Sequence, residues 1–310
     1  MFKKISLVIP VYNEEGNLIP LHEDIKKLYN TLELEVIFVD DGSMDNSMSV
    51  LKNIQKKDSR VKIISFTKNY GQTAAMGAGV KLSSGEIIVF LDADLQNDPT
   101  DIPKLLEKMN EGFDVVSGWR KKRKDEFFRV WLSRIANRLI AKVSKVSIHD
   151  YGCTLKAYRG ELVRKIDFYG EVHRLIPMYA SGYGAKIAEI RVNHRPRIHG
   201  ESKYGFLRVF KVLMDLLVAK FLLGYSAKPI YFFGFLSFLC FALGFISFIF
   251  AIVLRLYGIS LIQTPLLLLT VMLFVLGIQF VTFGLLADLI LRSYYNKDRT
   301  TYSIKERIGF

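Results

Sequence analysis

Among 310 residues there are two cysteines, Cys153 and Cys240, and Cys240 lies inside an apolar run. No disulfide framework is readable, which fits a reducing compartment for the soluble part. The five histidines (His22, His149, His173, His194, His199) have no cysteine at zinc-ligand spacing. A phosphate-cradling Gly-x-x-x-x-Gly-Lys sequence is absent, which excludes a P-loop ATPase. Gly77-Ala78-Gly79 lacks the third glycine of a dinucleotide fingerprint and does not follow the first strand, so a nicotinamide enzyme is disfavoured. No repeat and no low-complexity linker occurs. With half the chain apolar and 24% charged, disorder and collagen-like repetition are excluded. The N-terminal apolar stretch Ile5 to Val11 ends at Asn13-Glu14-Glu15, too short for a signal-peptide core, which predicts a cytoplasmic head.

What is present is apolar weight at one end and positive charge beside it. Between Lys228 and Arg255 lie 26 residues without a charge, and between Arg255 and Asp288 another 32. Pro229–Leu254 would be about 39 Å long as a helix, enough to cross a hydrocarbon core of about 30 Å with tilt. Pro265–Ala287 is the second span. Mean hydropathy is +0.21, yet net charge is +13 and the pI is near 9.5, which asks for an anionic partner. Ten basic residues against two acidic ones fall between Arg120 and Lys145, and Phe128, Trp131, Ile135, Leu139 and Val143 repeat there at helical spacing. That profile predicts a helix over about 126–146 lying on anionic lipid, with a sheet-packed helix as the alternative. Positive charge clustered beside the spans speaks for lipid and against nucleic acid. Basic residues on both sides of the hairpin predict that the head and the tail are cytoplasmic.

Residues 5–11, 36–39, 61–66 and 87–91 read as buried strands separated by helices of about ten residues, which predicts a parallel, doubly wound α/β sheet. In such sheets the ligand lies beyond the carboxyl ends of the strands. Tyr12 to Glu14, Asp40-Asp41 and Asp92 to Gln96 all follow strands directly. Asp92 and Asp94, one residue apart at a strand end, form with the Gln96 carbonyl a hard oxygen set suited to Mg²⁺ or Mn²⁺ and, through it, to phosphate. A solvated, helix-capping turn is the competing reading. Asp41 offers hydrogen-bond acceptors to a base or ribose, and Pro10, Tyr12 and Glu14 offer a ring and a carboxylate.

Pro10-Val11-Tyr12-Asn13-Glu14, Val39-Asp40-Asp41-Gly42-Ser43, Asn69-Tyr70-Gly71-Gln72 and Asp92-Ala93-Asp94-Leu95-Gln96 together resemble glycosyltransferase family 2. Asp150-Tyr151-Gly152-Cys153, Lys156-Ala157-Tyr158-Arg159 and Gly200-Glu201-Ser202-Lys203-Tyr204 resemble its polyprenyl-phosphate branch, including the formamidoarabinose transferases. The resemblance implies a Rossmann-like GT-A domain over 1–203, an interface helix at 204–227, spans at 228–255 and 264–291, and a basic tail at 292–310. It implies a metal-dependent, inverting transfer of a sugar from a UDP- or GDP-sugar donor to a polyprenyl phosphate, with Mg²⁺ or Mn²⁺ as cofactor. It extends to relatives that are homo-oligomers, without fixing a stoichiometry here. Carried over, Pro10, Tyr12, Glu14, Val39 and Asp41 contact the nucleoside. Asp92, Ala93, Asp94 and Gln96 hold diphosphate and metal, and Arg120 lies near the active site. Arg129 meets the acceptor phosphate. From the residues themselves, Arg174 offsets repulsion on the acceptor side, and His173 reads as a satisfied or acceptor-phosphate-binding histidine. His194, Arg197, Ser202 and Lys203 form a basic segment closing over the donor diphosphate. Cys153 stands where some relatives have an aspartate proposed as base, leaving Asp150 as the nearest carboxylate. A processive polysaccharide synthase is disfavoured because Trp119 and Trp131 lie outside a Gln-x-x-Arg-Trp motif and two spans enclose no channel. A catalytically dead membrane scaffold is disfavoured by the intact metal set.

Overall fold

The computed structural model describes residues 2, 4–120, 146, 148–168, 170, 172–196, 221, 229–261, 264–294 and 304–309, with main chain alone for 291–294 and 304–307. The chain divides into two compact units, Met1–Lys220 with Thr300–Phe310, and Phe221–Arg299.

In the first unit β1 (Ile5–Val11), α1 (Leu18–Lys26), β2 (Leu34–Asp40), α2 (Ser47–Lys57), β3 (Val61–Phe66), α3 (Gln72–Leu82), β4 (Ile87–Phe90) and α4 (Ile102–Asn110) alternate as the sequence pattern demands. β5 (Val115–Trp119), β6 (Lys156–Arg159), α5 (Gly160–Val163), α6 (Ile176–Gly182) and β7 (Ile187–Arg191) follow. β1, β2 and β4 are apolar on both faces because both faces are covered. Leu7, Ile9, Val36 and Phe38 pack against Leu18, Leu21 and Ile25 of α1 and Leu51 and Ile54 of α2. Val8, Ile37, Val39 and Phe90 pack on the other face against Ala74, Ala75 and Ala78 of α3. The glycines of α3 are there for packing: a Cβ on Gly79 would fall 2.3 Å from Val8 Cγ1. Gly77-Ala78-Gly79 thus brings α3 close to the sheet and cradles no phosphate.

Strand order is β7-β5-β6-β4-β1-β2-β3, closed at the far edge by β8 (Ile304–Ile308). β4-β1-β2-β3 run parallel, whereas β6 is antiparallel to both β4 and β5. The chain proceeds from β1 outward to β3 and then returns to the other side of β1 for β4. That reversal opens a crevice at the carboxyl ends of β1 and β4, where doubly wound sheets bind ligands. The segment read from sequence only as a basic tail re-enters the first unit as β8, antiparallel to β3 with Ile63 opposite Ile308 and Ser65 opposite Glu306. It supplies ladder partners to an edge that would otherwise stand open.

The second unit is a helical hairpin of α7 (Pro229–Leu256) and α8 (Leu266–Tyr294), both long and apolar enough to cross a membrane. Side chains of one helix sit over glycines of the other: Phe241 over Gly277, Phe274 over Gly244, Ile230 over Gly284. Ser237 Oγ donates to the Gly277 carbonyl at 2.8 Å and Thr270 Oγ1 to Ser247 Oγ at 3.0 Å, so these polar groups are satisfied between the helices. Phe235, Phe238, Phe245 and Leu268 point outward and are exposed, as lipid-facing residues are. The predicted interface helices at about 126–146 and 204–227 fall almost wholly outside the described residues.

At the amino end of the sheet, opposite the crevice, Glu35 is 4% exposed and accepts from Ser6 Oγ and from the Ser84 amide (2.6 Å) and hydroxyl (2.9 Å), with Lys62 Nζ at 3.2 Å. Burial alone would raise its pKa, but the hydrogen bonds from Ser6, Ser84 and Lys62 outweigh it and hold the carboxyl down to about 2. A depressed carboxyl contributes stability that is complete above its unfolded-state value, near 4.5, and is lost as pH falls toward 2. Glu35→Gln should therefore cost about 3 kcal/mol at pH 7. In thermal melts of the detergent-solubilised chain, the gap to wild type should shrink as the buffer is taken from pH 5 toward pH 2.5.

Candidate functional site

The loops after β1 and β2 interlock at the crevice. Asn13, at φ 55°, donates its amide to Ser43 Oγ at 3.0 Å and accepts from the Met44 amide at 2.8 Å, while the Glu14 amide donates to Ser47 Oγ at 2.9 Å. Tyr12 and Glu14 are carried on this frame, half-buried beside the end of β1. Val39 is fully buried in the core and Ala93 is buried beside the crevice, so the site can draw on their main chain but not on exposed side chains.

Asp41 has a task that the sequence reading did not assign. Its two carboxylate oxygens accept from the Tyr70 amide (2.7 Å) and the Gly71 amide (2.9 Å), fixing the loop between β3 and α3. Burial raises its pKa, with these two hydrogen bonds opposing. Gly71 takes φ 95°, a conformation that favours glycine, and so turns the chain to present Gln72. Gln72 Nε2 then donates to Asp92 Oδ1 at 2.8 Å. The Asn69-Tyr70-Gly71-Gln72 motif is a strut from the end of β2 to the end of β4.

Asp92 follows β4 by one residue. Its pKa is raised to about 6, first by burial and second by the neighbouring Asp94 charge; a hydrogen bond from the Thr154 hydroxyl and the charges of Arg120 and Lys156 oppose the rise. Asp94 is 8% exposed and accepts the Gln96 amide at 3.2 Å, in a turn that holds Leu95 at φ 62°. A non-glycine residue in this region costs energy, and such strain collects where side chains must be aimed. Two crowded, partly desolvated carboxylates form an oxygen-donor set short of positive charge, and it fits a hard divalent cation. Among the described residues no cluster of three or more histidine, cysteine or acidic side chains is suited to hold a metal, and the Asp92–Asp94 pair leaves room for further ligands such as Gln96, water or a bound phosphate. The main-chain carbonyl of Gln96 already accepts from the Arg195 amide at 2.8 Å, which leaves its side-chain carbonyl as the better donor.

Across the crevice floor Arg120, just beyond β5, is clamped by Asp150: Nε to Oδ2 at 2.8 Å and Nη2 to Oδ1 at 3.1 Å. Burial pulls the guanidinium pKa down, and the Asp150 charge more than restores it. Asp150, 2% exposed, is thus a structural counter-ion rather than an open base. Cys153, in the position where a carboxylate was sought, is fully buried, and burial pushes its thiol to about 11, so it is inert near neutrality.

Lys156, which the motif contained but to which the sequence reading assigned no role, is 2% exposed at the start of β6. Its ammonium donates to the main-chain carbonyls of Tyr151 (3.0 Å) and Cys153, and burial lowers its pKa to about 8. His173 Nδ1 lies 2.7 Å from Thr73 Oγ1, and Arg174 Nε donates toward His173 Nε2 at 3.3 Å. Burial, then the charges of Arg174 and Lys156, lower the His173 pKa to about 3. The ring is neutral, and with Nε2 accepting from Arg174, Nδ1 carries the proton toward Thr73. His173 is thus a neutral hydrogen-bonding group, with the positive charge beside it on Arg174.

The chain after β7 crosses back over the crevice rim. Asn193 donates its amide to Asp101 at 2.6 Å, His194 forms a bridge to Asn97, and Arg195 pairs with Asp24 (2.6 Å) and Asp98 (2.8 Å). Arg195, also missed, anchors the start of the basic segment. The structure therefore gathers Asp92, Asp94, Gln96, Arg120 and Asp150, with Asp41 reaching the same group through its strut and Pro10, Tyr12 and Glu14 on the adjoining strand end and loop. Arg129, Arg197, Ser202 and Lys203 lie outside the described residues.

Residues 6–167 match the family described as Glycosyl transferase family 2. The chain is 38% identical to a dodecaprenyl-phosphate galacturonate synthase of Rhizobium johnstonii, over 98% of this chain and 93% of that protein. It is 37% identical to an undecaprenyl-phosphate 4-deoxy-4-formamido-L-arabinose transferase of Pseudomonas paraeruginosa, over 94% and 86%. Among solved structures, glucosyl-3-phosphoglycerate synthase of Mycobacterium tuberculosis, crystallised with Mn²⁺, UDP and phosphoglyceric acid, shares the fold. It superposes with a TM-score of 0.57 at 22% identity, covering 70% of this chain and 78% of that one.

The clamp predicts a clear stability effect. Asp150→Ala strands a buried guanidinium and should lower stability by about 3–5 kcal/mol. Asp150→Asn, which keeps an acceptor oxygen, should cost less; thermal unfolding of the full chain monitored through Trp119 and Trp131 checks the order.

Proposed function

Because the chain belongs to glycosyl transferase family 2, we propose that it transfers a sugar from a nucleotide-sugar to a polyprenyl phosphate. The product is a polyprenyl-monophosphate sugar, formed with inversion at the anomeric carbon. The observation that carries the reading is the Asp92–Asp94 pair, crowded at the carboxyl end of β4 in the crevice beside the nucleoside-side loops and Arg120. Full-length similarity to transferases named for polyprenyl-phosphate acceptors supports the acceptor class, and the apolar hairpin supports a membrane-borne one. UDP- and GDP-sugars are both within the proposal.

In this reading Pro10, Tyr12, Glu14 and the β2 end hold the nucleoside. Asp92, Asp94 and the Gln96 side chain hold a Mg²⁺ or Mn²⁺ ion, which when bound offsets the charge of the diphosphate. An oxygen of the acceptor phosphate forms the new bond to the anomeric carbon as the bond to the donor diphosphate breaks, and a nucleoside diphosphate departs. No base is required, because a phosphomonoester has its second pKa near 6 and is largely a dianion at pH 7. The demand on the protein is to place two anionic phosphates together and to neutralise the one that leaves. Arg120, kept charged and oriented by Asp150, serves the crevice side. Arg129, Arg174 and the neutral His173 serve the acceptor phosphate. His194, Arg197, Ser202 and Lys203 close over the donor. Asp150 acts by holding Arg120. The hairpin anchors the chain with head and tail at the cytoplasmic face, and basic residues rest on anionic lipid.

Membranes carrying the chain, supplied with undecaprenyl or dolichyl phosphate, Mg²⁺ or Mn²⁺ and a panel of UDP- and GDP-sugars, should form a chloroform-soluble glycolipid. Chelation should stop the reaction and added metal restore it. Asp94→Ala should reduce turnover roughly 10²–10³-fold, the scale of removing one group that stabilises developing charge. No product with any donor, or full turnover in Asp94→Ala, would overturn the reading. Titration of Mn²⁺ alone should show weak binding that tightens when UDP or GDP is added, because the protein offers too few ligands by itself.

A further inference from the structure

Lys156 is a buried cation that the reaction as described does not use. β6 meets β4 with Lys156 opposite Phe90, and meets β5 with Lys156 opposite Ser117. It therefore stands two residues back from Asp92 on one neighbouring strand and three back from Arg120 on the other. Its ammonium is spent on main-chain carbonyls, those of Tyr151 and Cys153. Both belong to the loop that leads into β6, and that same loop supplies Asp150, the clamp on Arg120, and Thr154, whose hydroxyl favours the ionised form of Asp92.

Resting on the functional reading above, we propose that Lys156 is a positioning residue for the donor site: by gripping the 151 and 153 carbonyls it sets the loop that aims both Asp92 and Arg120. It touches neither donor nor cation. A flexible loop would let Thr154 and Asp150 drift, and with them the carboxylate and the guanidinium that flank the diphosphate. A lysine suits the task because its ammonium presents three donors from a long stem, so it can reach two carbonyls of one turn from beneath. Partners that orient metal ligands from behind typically change metal affinity or activity 10–100-fold when removed.

The test is an Mn²⁺ titration of the full chain in detergent, followed by electron paramagnetic resonance with and without UDP and GDP. Lys156→Met should weaken Mn²⁺–nucleotide binding about 10–100-fold. Lys156→Arg, which keeps charge and donors, should recover most of it. Thr154→Val should weaken binding by itself yet add little in the Lys156→Met background, since both act through one loop. Wild-type affinity in Lys156→Met, or full additivity with Thr154→Val, would overturn the inference. Should Lys156→Met fail to fold, Lys156→Gln, with a single amide donor head, decides the matter: intermediate affinity supports the proposal and unchanged affinity overturns it. A wild-type chain that binds no Mn²⁺–nucleotide would instead overturn the functional reading on which this one rests.

Discussion

Two carboxylates held one residue apart at the end of a buried strand repel each other, and burial denies them the water that would screen the repulsion. Asp92 and Asp94 stand in that position, and the surrounding structure is arranged to endure it. Gln72 donates to Asp92 and the Gln96 amide to Asp94, while the Thr154 hydroxyl and the charges of Arg120 and Lys156 favour the ionised Asp92. The compensation is incomplete: burial first, and then the Asp94 charge, hold the Asp92 carboxyl above the usual carboxylate range. An arrangement of that kind lowers the stability of the empty protein and gains when a divalent cation and a diphosphate complete it. Strain at Leu95 follows the same logic, since the turn that aims Asp94 sits in a sparsely populated conformation.

Each partner of this pair is itself held in place, and the holding groups come from all round the sheet. Asp41 at the end of β2 fixes the turn that presents Gln72. Asp150 fixes Arg120, and Lys156 fixes the loop bearing Asp150 and Thr154. On the rim, Arg195 ties the chain after β7 to Asp24 and Asp98. The side chains that would meet substrate are few; those that aim them are many, and several are buried ions whose removal leaves an unpaired charge. This distribution explains why a carboxylate such as Asp150 can sit at an active crevice without serving as a base. A dianionic phosphate acceptor needs no proton removed, so the acid–base task is absent and the carboxylates are free for electrostatic and structural work.

The hairpin follows a separate logic. Its helices meet through glycines covered by large side chains of the partner helix and through serine and threonine hydroxyls that bond across the pair, because in hydrocarbon there is no hydrophobic drive between helices and close contact must supply the attraction. The chain then returns to the first unit as β8, so that its last strand completes the sheet that its first strand began.

Much of this was readable along the chain. β1 and β3 begin and end where their apolar runs do, and β2 and β4 lie within a few residues of theirs, because a strand buried on both faces is mostly apolar and stops at the first polar turn. For the same reason Asp41, Asp92 and Asp94 could be placed at strand ends, and the hairpin from its uncharged runs. β5 to β8 were not readable: they are short, Lys156 puts a charge at the start of β6, and Ile304–Ile308 holds three consecutive charged residues between two isoleucines like any surface segment. Nor could the roles within the site be read. Whether Asp150 is a base or a clamp, whether Cys153 is reactive or buried, and whether Gln72 and Thr154 reach Asp92 depend on which distant residues the sheet brings within 3 Å. Local pattern determined strands, spans and the carboxylate pair, since those follow from burial and period; only tertiary contact decided which charge answers which, since a hydrogen bond between residues 20 to 60 positions apart leaves no mark on the sequence between them.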